Sequence, residues 1–295
     1  MGPRFDAFLE RVGAVDTADL AARLTLLALL LEPIGSWALR PGIIVLAAIG
    51  TLSTAARRHA LTWFLLAGLT AYRVIDDWPM ADNHAYLLVY WCLALALARL
   101  FGPADRVLRL NARWMLGLVF ALAVLWKALL SPDYVDGTFF RVTFLTDDRF
   151  AELAILAGEM SRDDLEAARD ALRPLPPGAS LLEPRPLPES PRLQQLAIIA
   201  TWGTLILEAL VALGFLVSWR VMHRWRDFLL QIFCAVTYPL APVFGFGWLL
   251  LAMGVAQCEE ARKKTRLAYL AVFVLLIVLH DLPWADVLVE RGVRL

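Results

Sequence analysis

Charge is what this sequence has least of. Only 19% of its 295 residues are Asp, Glu, Lys or Arg, against 60% hydrophobic. A soluble domain carries about 25% charged and 45–50% apolar residues, so the deficit excludes an ordinary soluble fold and points to a multi-span membrane protein. The 28 basic and 28 acidic side chains cancel. No net positive footprint is left for nucleic acid, which is excluded as a partner. Cysteine is scarce too: Cys92, Cys234 and Cys258 are too few and too scattered for a disulfide framework or a CxxC clip. HxxH, HExxH, GxSxG and Gly-rich phosphate-loop patterns are missing, so no metal centre is expected. No internal repeat or low-complexity tract appears, and nothing marks a second folded domain, so residues 1–295 read as one transmembrane domain. The first twenty residues carry four acids and no apolar core, and Asp6 breaks the myristoylation pattern. The first hydrophobic span is therefore expected to stay as an anchor.

What is present is a series of apolar runs. A crossing helix needs about 20 largely apolar residues. Candidate spans lie near 20–38, 42–57, 60–78, 84–102, 111–131, 194–219, 227–240, 242–258 and 267–284, so the expected fold is an all-α bundle of eight to nine spans. The stretch 227–258 reads as two helices or one broken helix, because Pro239 and Pro242 each remove a backbone donor. Charge favours two. Arg57 and Arg58, then Arg106, Arg109 and Arg113, then Arg220, Arg224 and Arg226, then the RKKTR run at 262–266 share one side only if that stretch crosses twice. Positive residues mark cytoplasmic connections. The reading is an inner-membrane protein with a cytoplasmic N-terminus and an extracytoplasmic C-terminus.

The segment 132–193 is the one sizeable piece outside the spans, expected on the extracytoplasmic side. Ser161 followed by Asp164 reads as an N-cap with an acid in the first turn, opening a short helix with apolar positions at Leu165, Ala168 and Leu172. Beyond it, seven prolines between 174 and 191 predict an extended linker. This segment is a candidate docking element for a membrane or periplasmic protein partner.

Ionisable groups inside spans are expensive, and each is a functional hypothesis. Of three lysines, Lys263 and Lys264 sit in a basic loop, whereas Lys127 lies inside the fifth span, one turn before the Ser131-Pro132 exit. It either snorkels to the headgroups or belongs to a polar site. His84 opens the fourth span at a similar expected depth, so antiparallel neighbours would bring it to Lys127. A desolvated amine loses its proton readily and then acts as base or nucleophile, with a histidine to share the proton. The other reading of His84 is an interfacial residue that caps its own helix with Asn83. Glu208 is the deepest carboxylate, fit either to bond a neighbouring helix or to line a polar cavity. Arg73, Asp76, Asp77 and Arg99 are accounted for by local ion pairing or snorkelling.

Three segments resemble one family. DNHAYL at 82–87, WKALLSPDYVDG at 126–137 and the acid-centred helix TWGTLILEALVALGFLV at 201–217 are similar to stretches of the HTTM (horizontally transferred transmembrane) domain. Its best known member is the membrane part of vitamin K-dependent gamma-glutamyl carboxylase. The similarity covers about Asp16 to Gln257, and the expected topology agrees. The resemblance implies Lys127 as a base that deprotonates a quinol and His84 as its partner. It also implies a lipid-binding lining that includes Asn83, Tyr86, Trp126, Tyr134 and Glu208, and a quinone or hydroquinone-like or isoprenoid lipid as ligand. This chain departs from the carboxylase in two places. It stops at Leu295, where the carboxylase continues into a lumenal domain that grips its protein substrate, and it has Cys234 where the carboxylase has a histidine. Both departures argue against glutamate carboxylation. The rival expectation is a non-catalytic membrane subunit that docks a partner through 132–193.

Overall fold

The computed structural model describes residues 15–32, 34–178, 180, 187–282 and 284–293. Among them every regular element is helical. By length and composition three helices are fit to cross a membrane: Asn83–Leu100, Ala104–Leu130 and Pro191–Leu216. A fourth joins them if Lys263–Asp281 and Trp284–Glu290, bent by 50° at their junction, count as one span. That is fewer than the nine expected, and the reason lies at helix ends that an apolar run does not reveal. The run 20–38 stops being helical at Leu31, ahead of Gly35, whose φ of 91° an L-residue rarely adopts. Arg40–Leu52 and Phe244–Ala256 have 13 residues each, and at about 1.5 Å per residue they fall well short of a roughly 30 Å hydrocarbon layer. The Arg220–Leu240 helix is long enough but opens on Arg220, Arg224, Arg226 and Asp227. The stretch 227–258 is two helices, separated at 241–243.

The chain packs as two compact units. The first comprises Met1–Ala121, Leu210–Tyr238 and Val243–Val278, the second Leu122–Ala209, Pro239–Pro242 and Leu279–Leu295. In the first, Thr17–Leu31 packs on Arg40–Leu52 and on Phe244–Ala256, and Ala60–Asp76 packs on Asn83–Leu100. Asp16 starts the first of these helices by accepting the Ala18 N–H through its side chain. Ala18, Ala21 and Ala22 are buried, small enough to let neighbouring backbones close in. Every residue from Trp248 to Ala256 is buried, so that short apolar helix is core rather than lipid-facing.

Two ionic networks lie inside this unit. Arg57, 1% exposed, donates from Nε to Asp19 Oδ1 at 2.8 Å, from Nη1 to the Gly50 and Thr51 carbonyls, and from Nη2 to Thr54 Oγ1. The second centres on Asp227, which accepts from Arg262 Nη1 at 2.7 Å, from the Tyr269 hydroxyl at 3.0 Å and from the Gln257 amide. Gly254 permits this arrangement, because a Cβ there would run into the Tyr269 ring.

In the second unit the segment after Ser131 folds rather than trails. The expected helix is present at Arg162–Leu172 with a full capping box: Ser161 Oγ accepts the Asp164 N–H, and Asp164 accepts the Ser161 N–H. Leu165 and Ala168 are buried in a cluster with Phe144, Leu145, Phe150, Ala154, Met160, Leu193 and Ala197. Of the proline-rich stretch, 174–176 and 187–190 carry no helix or strand, in line with the expected linker, and 181–186 lies outside the described residues.

Candidate functional site

Lys127 stands on a five-residue π-turn, Trp126–Leu130, at the end of the Ala104–Leu125 helix. The wider turn leaves irregular backbone at its end, where Pro132, lacking an N–H, begins the next short helix. Such turns inside helices concentrate at functional positions. Lys127 Nζ donates to Glu208 Oε1 at 2.6 Å and lies 5.1 Å from the centre of the Tyr134 ring. The lysine's charge turns to a carboxylate 81 residues away, supplied by the Pro191–Leu216 helix.

The pair is lopsided. Glu208 is 6% exposed, yet its second oxygen, Oε2, has no hydrogen-bond partner. The Lys127 side chain keeps 22% of its surface open. Tyr134 is buried, its hydroxyl hydrogen-bonded with Thr204. Burial, and after it the nearby Glu208 carboxylate, push its phenol well above the usual tyrosine value, so Tyr134 keeps its proton at ordinary pH. Its ring stacks on Phe139 and meets Phe140 edge-on, and the contacts run on through Phe144 to Phe150. Gly137 makes the turn between them at a φ of 85°, and a Cβ there would stand 2.6 Å from Ile198 Cδ1. Trp126, Leu129 and Leu130, on the same π-turn as Lys127, are 63%, 72% and 65% exposed. An open amine, a carboxylate oxygen without a donor and a protonated phenol thus share one small region with an apolar surround. That set can take, hold and return one proton of a hydroxyl-bearing ligand.

His84 belongs to the first unit and has its own setting. It is the second residue of the Asn83–Leu100 helix, stacked on Phe246 with ring centres 5.6 Å apart and with Nε2 3.7 Å from Asp82 Oδ2. Around it is a cavity of about 60 Å³, lined also by Glu32, Arg73, Thr25 and Gly245. That is room for a few water-sized groups. Glu32 Oε2 is buried there without a hydrogen-bond partner, and a Cβ on Gly245 would collide with the Glu32 carboxylate. Asn83 is exposed and Tyr86 half-buried on the same helix. Lys127 and Glu208 with Tyr134 and Trp126 are therefore one group of the expected residues, and His84 with Asn83 and Tyr86 is another. Sequence reasoning singled out Lys127 and Glu208 separately by the cost of a buried charge but did not pair them. It missed Glu32 and Thr204, for which neither spacing nor composition gives a signal.

Cys92, Cys234 and Cys258 are free and buried. Cys234, standing where the resemblance expects a histidine, is 0% exposed and serves as a small apolar core residue. Arg73 pairs with Asp77 one turn on, as the local reading expected. Among the described residues one trio of carboxylates, Asp16, Asp105 and Glu260, is close enough to share an ion. The Ala18 N–H already binds both Asp16 and Asp105, which accounts for their approach without one.

No family model matches the chain, and no curated protein or solved structure is similar to it. The functional reading therefore rests on the geometry and on the three sequence motifs.

Proposed function

We propose that this is a multi-pass inner-membrane protein of the HTTM type, with its N-terminus cytoplasmic, whose Lys127 site binds a quinol-like or isoprenoid lipid and handles its hydroxyl proton. The observation that carries the reading is the unsaturated ion pair: a lysine on a π-turn, 2.6 Å from one oxygen of a carboxylate whose other oxygen is vacant of donors. A purely structural pair in a dry setting is expected to saturate its lone pairs. Here a ligand hydroxyl has both an acceptor and a cation waiting for it.

For Lys127 to act as the base, its own proton has first to pass to Glu208 Oε1, 2.6 Å away. With it on Oε1, Nζ is a free amine. The ligand's O–H bond then breaks, its proton forms an N–H bond on Lys127, and the oxyanion that remains lies against the new ammonium. The Tyr134 ring faces that ammonium and supports it through its π-face. Exposed Trp126, Leu129 and Leu130 offer the apolar surface on which a ring and its tail would lie. Because only a proton moves, the proposal includes no carboxylation. His84 is carried as a second proton-handling group, on the strength of its motif and of the Glu32 and Arg73 around it.

The test is binding of a short-chain benzoquinol by the full chain in detergent, read through quenching of Trp126 fluorescence relative to a Trp126→Phe control. Lys127→Met and Glu208→Gln are each expected to weaken binding about tenfold, the effect of losing one charged hydrogen bond in a dry site. Unchanged binding in both variants overturns the reading.

One observation favours a second reading. The segment 132–193 is folded around its own apolar cluster, as a docking element for a protein partner would be. A stoichiometric partner that co-purifies with the intact chain and is lost on deleting 161–191 would shift the assignment to a membrane scaffold.

A further inference from the structure

At the start of the Arg220–Leu240 helix, Arg226 and Arg262 share one carboxylate, Asp227, and a third guanidinium, Arg113, lies close enough to act on Arg226. Arg226 is 5% exposed and donates from Nη1 to His223 Nδ1 at 2.9 Å, with its guanidinium carbon 5.9 Å from the centre of the Phe215 ring. Its Nε has no hydrogen-bond acceptor and stands 4.0 Å from Asp227 Oδ2. Asp227 reaches it only at that distance, its short bonds going from Oδ2 to Arg262 and from Oδ1 to Tyr269 and Gln257. Arg113 is half-buried and donates from Nε to the Phe215 carbonyl at 2.9 Å. Among the described residues Arg113 has no carboxylate partner. Arg113 and Arg262 both press electrostatically on Arg226. With one carboxylate for three guanidiniums, positive charge is in excess, and for the buried Arg226 that excess is costly without an anion.

The histidine completes a donor set. An arginine only donates, so His223 Nδ1 accepts and the ring's hydrogen is on Nε2. Partial desolvation of the ring and then the three guanidiniums hold His223 below its usual value, so the ring is neutral. It is exposed, and Nε2–H is free to donate outward.

The surroundings say what kind of anion fits. Trp219, Trp225 and Phe228 flank the cluster with 67%, 51% and 51% of their surfaces exposed, and Trp225 meets Phe228 edge-on at 5.7 Å. Exposed aromatics beside arginines mark the headgroup level of a bilayer. The arginine pattern assigns this end to the cytoplasmic side, where anionic lipids attract basic residues and bind basic pockets between helices. Forked guanidinium donors match phosphate oxygens. We infer that Arg113, His223, Arg226 and Arg262 form a binding site for the phosphate of an anionic phospholipid, with the exposed aromatics against its glycerol and upper chains. The site is separate from Lys127 and does not depend on the function proposed for it.

The experiment uses the full chain in nanodiscs of phosphatidylcholine with or without a fifth of phosphatidylglycerol, followed by mild detergent extraction and native mass spectrometry of the retained lipid. The expected result is retention of phosphatidylglycerol over phosphatidylcholine by about tenfold, falling to near parity in Arg226→Gln, as loss of one charge-assisted contact implies. Because Arg226 is buried and its replacement can disturb folding, Arg113→Gln and the exposed His223→Ala are read alongside, each expected to lower the preference. An unchanged preference in all three overturns the assignment. So does equal retention of both lipids by the unaltered protein. A third arm adds inorganic phosphate alone in detergent. A phosphate-induced rise in melting temperature with no lipid preference means a soluble phosphate site and overturns the lipid assignment.

Discussion

The Arg57–Asp19 pair of the first unit and the Lys127–Glu208 pair of the second have similar burial on the acid side and opposite completeness. Arg57 fills its donors with Asp19, two backbone carbonyls and the Thr54 hydroxyl. Asp19 in turn accepts from Arg23 as well as Arg57, and this network of guanidinium hydrogen bonds outweighs the burial that would raise its carboxyl, holding it below the ordinary range. Lys127 and Glu208 have one bond between them and a carboxylate oxygen left over. The first pair ties the Thr17–Leu31 helix to the Thr54–Arg58 turn. The second leaves bonding capacity unused in a setting where unused capacity is expensive. Saturation, rather than burial, is what separates a structural ion pair from a candidate site here.

The comparison breaks most visibly at Arg57. Removing Arg57 leaves the buried Asp19 with only the half-exposed Arg23 and the more distant Arg58, so Arg57→Ala should lower stability by about 3 kcal/mol, the lower end for breaking a buried pair. It also orphans the Gly50 carbonyl, which Arg57 serves. The expected outcome is a chain that extracts poorly and melts far below the unaltered protein in detergent. Melting within a few degrees of the unaltered protein would mean that Arg23 and Arg58 suffice for Asp19, and the structural half of the contrast would fail.

The next effect is smaller and has a different shape. For Lys127 and Glu208 a double-mutant cycle should show each single change costing about 1–3 kcal/mol. The double Lys127→Met, Glu208→Gln variant should recover part of that, because neither charge is stranded. Quinol binding should not recover in the double variant. Stability and binding recovering together would make the pair structural after all.

How much of this was legible beforehand depends on whether a feature is local. The Arg162–Leu172 helix could be read from Ser161, Asp164 and the spacing of Leu165 and Ala168, since a cap and a face are set by neighbours in sequence. Lys127 and Glu208 could each be flagged, because an ionisable residue in an apolar run is conspicuous wherever it points. Their pairing could not be read. It depends on the π-turn at Trp126–Leu130 and on which face of a helix begun at Pro191 meets it. His84 could be flagged as well, but its cavity could not be read, being lined by Glu32, Arg73 and Phe246 from three other parts of the chain. The span count ran high for a related reason: hydropathy adds up apolar residues across helix ends such as Leu31 and Leu52.

A third change sharpens the contrast from the backbone side. Gly137 has a positive φ and its missing Cβ leaves room for Ile198. Gly137→Ala should cost about 1–2 kcal/mol, the price of a left-handed backbone for an L-residue. Because the turn carries Tyr134 past Phe139, quinol affinity should fall with it, whereas the Arg57 network in the other unit should be untouched. Hydrogen exchange at Arg57 and at Tyr134 in the same sample distinguishes the two. Equal loosening at both would mean that the change acts globally.

The smallest effect concerns the capping box, and its sign follows from Asp164. The side chain accepts from the Ser161 hydroxyl at 2.6 Å and from the Ser161 N–H at 3.0 Å, which hold its carboxyl below the ordinary value of 3.8. A carboxyl depressed in the folded state stabilises fully above its unfolded value and loses that stabilisation as pH falls through the lower folded value. Amides of the Arg162–Leu172 helix should therefore keep constant protection at neutral and mildly acidic pH and lose it progressively below about pH 4. Ser161→Ala should lower the neutral protection slightly, as loss of an N-cap does, and flatten the acid dependence. Asp164 is fully exposed, so the change is confined to this helix and should leave the midpoint of global melting where it was. If the acid loss persists undiminished in Ser161→Ala, the Ser161 hydroxyl is not its source, and the backbone N–H of residue 161, which Asp164 still accepts, is next in line.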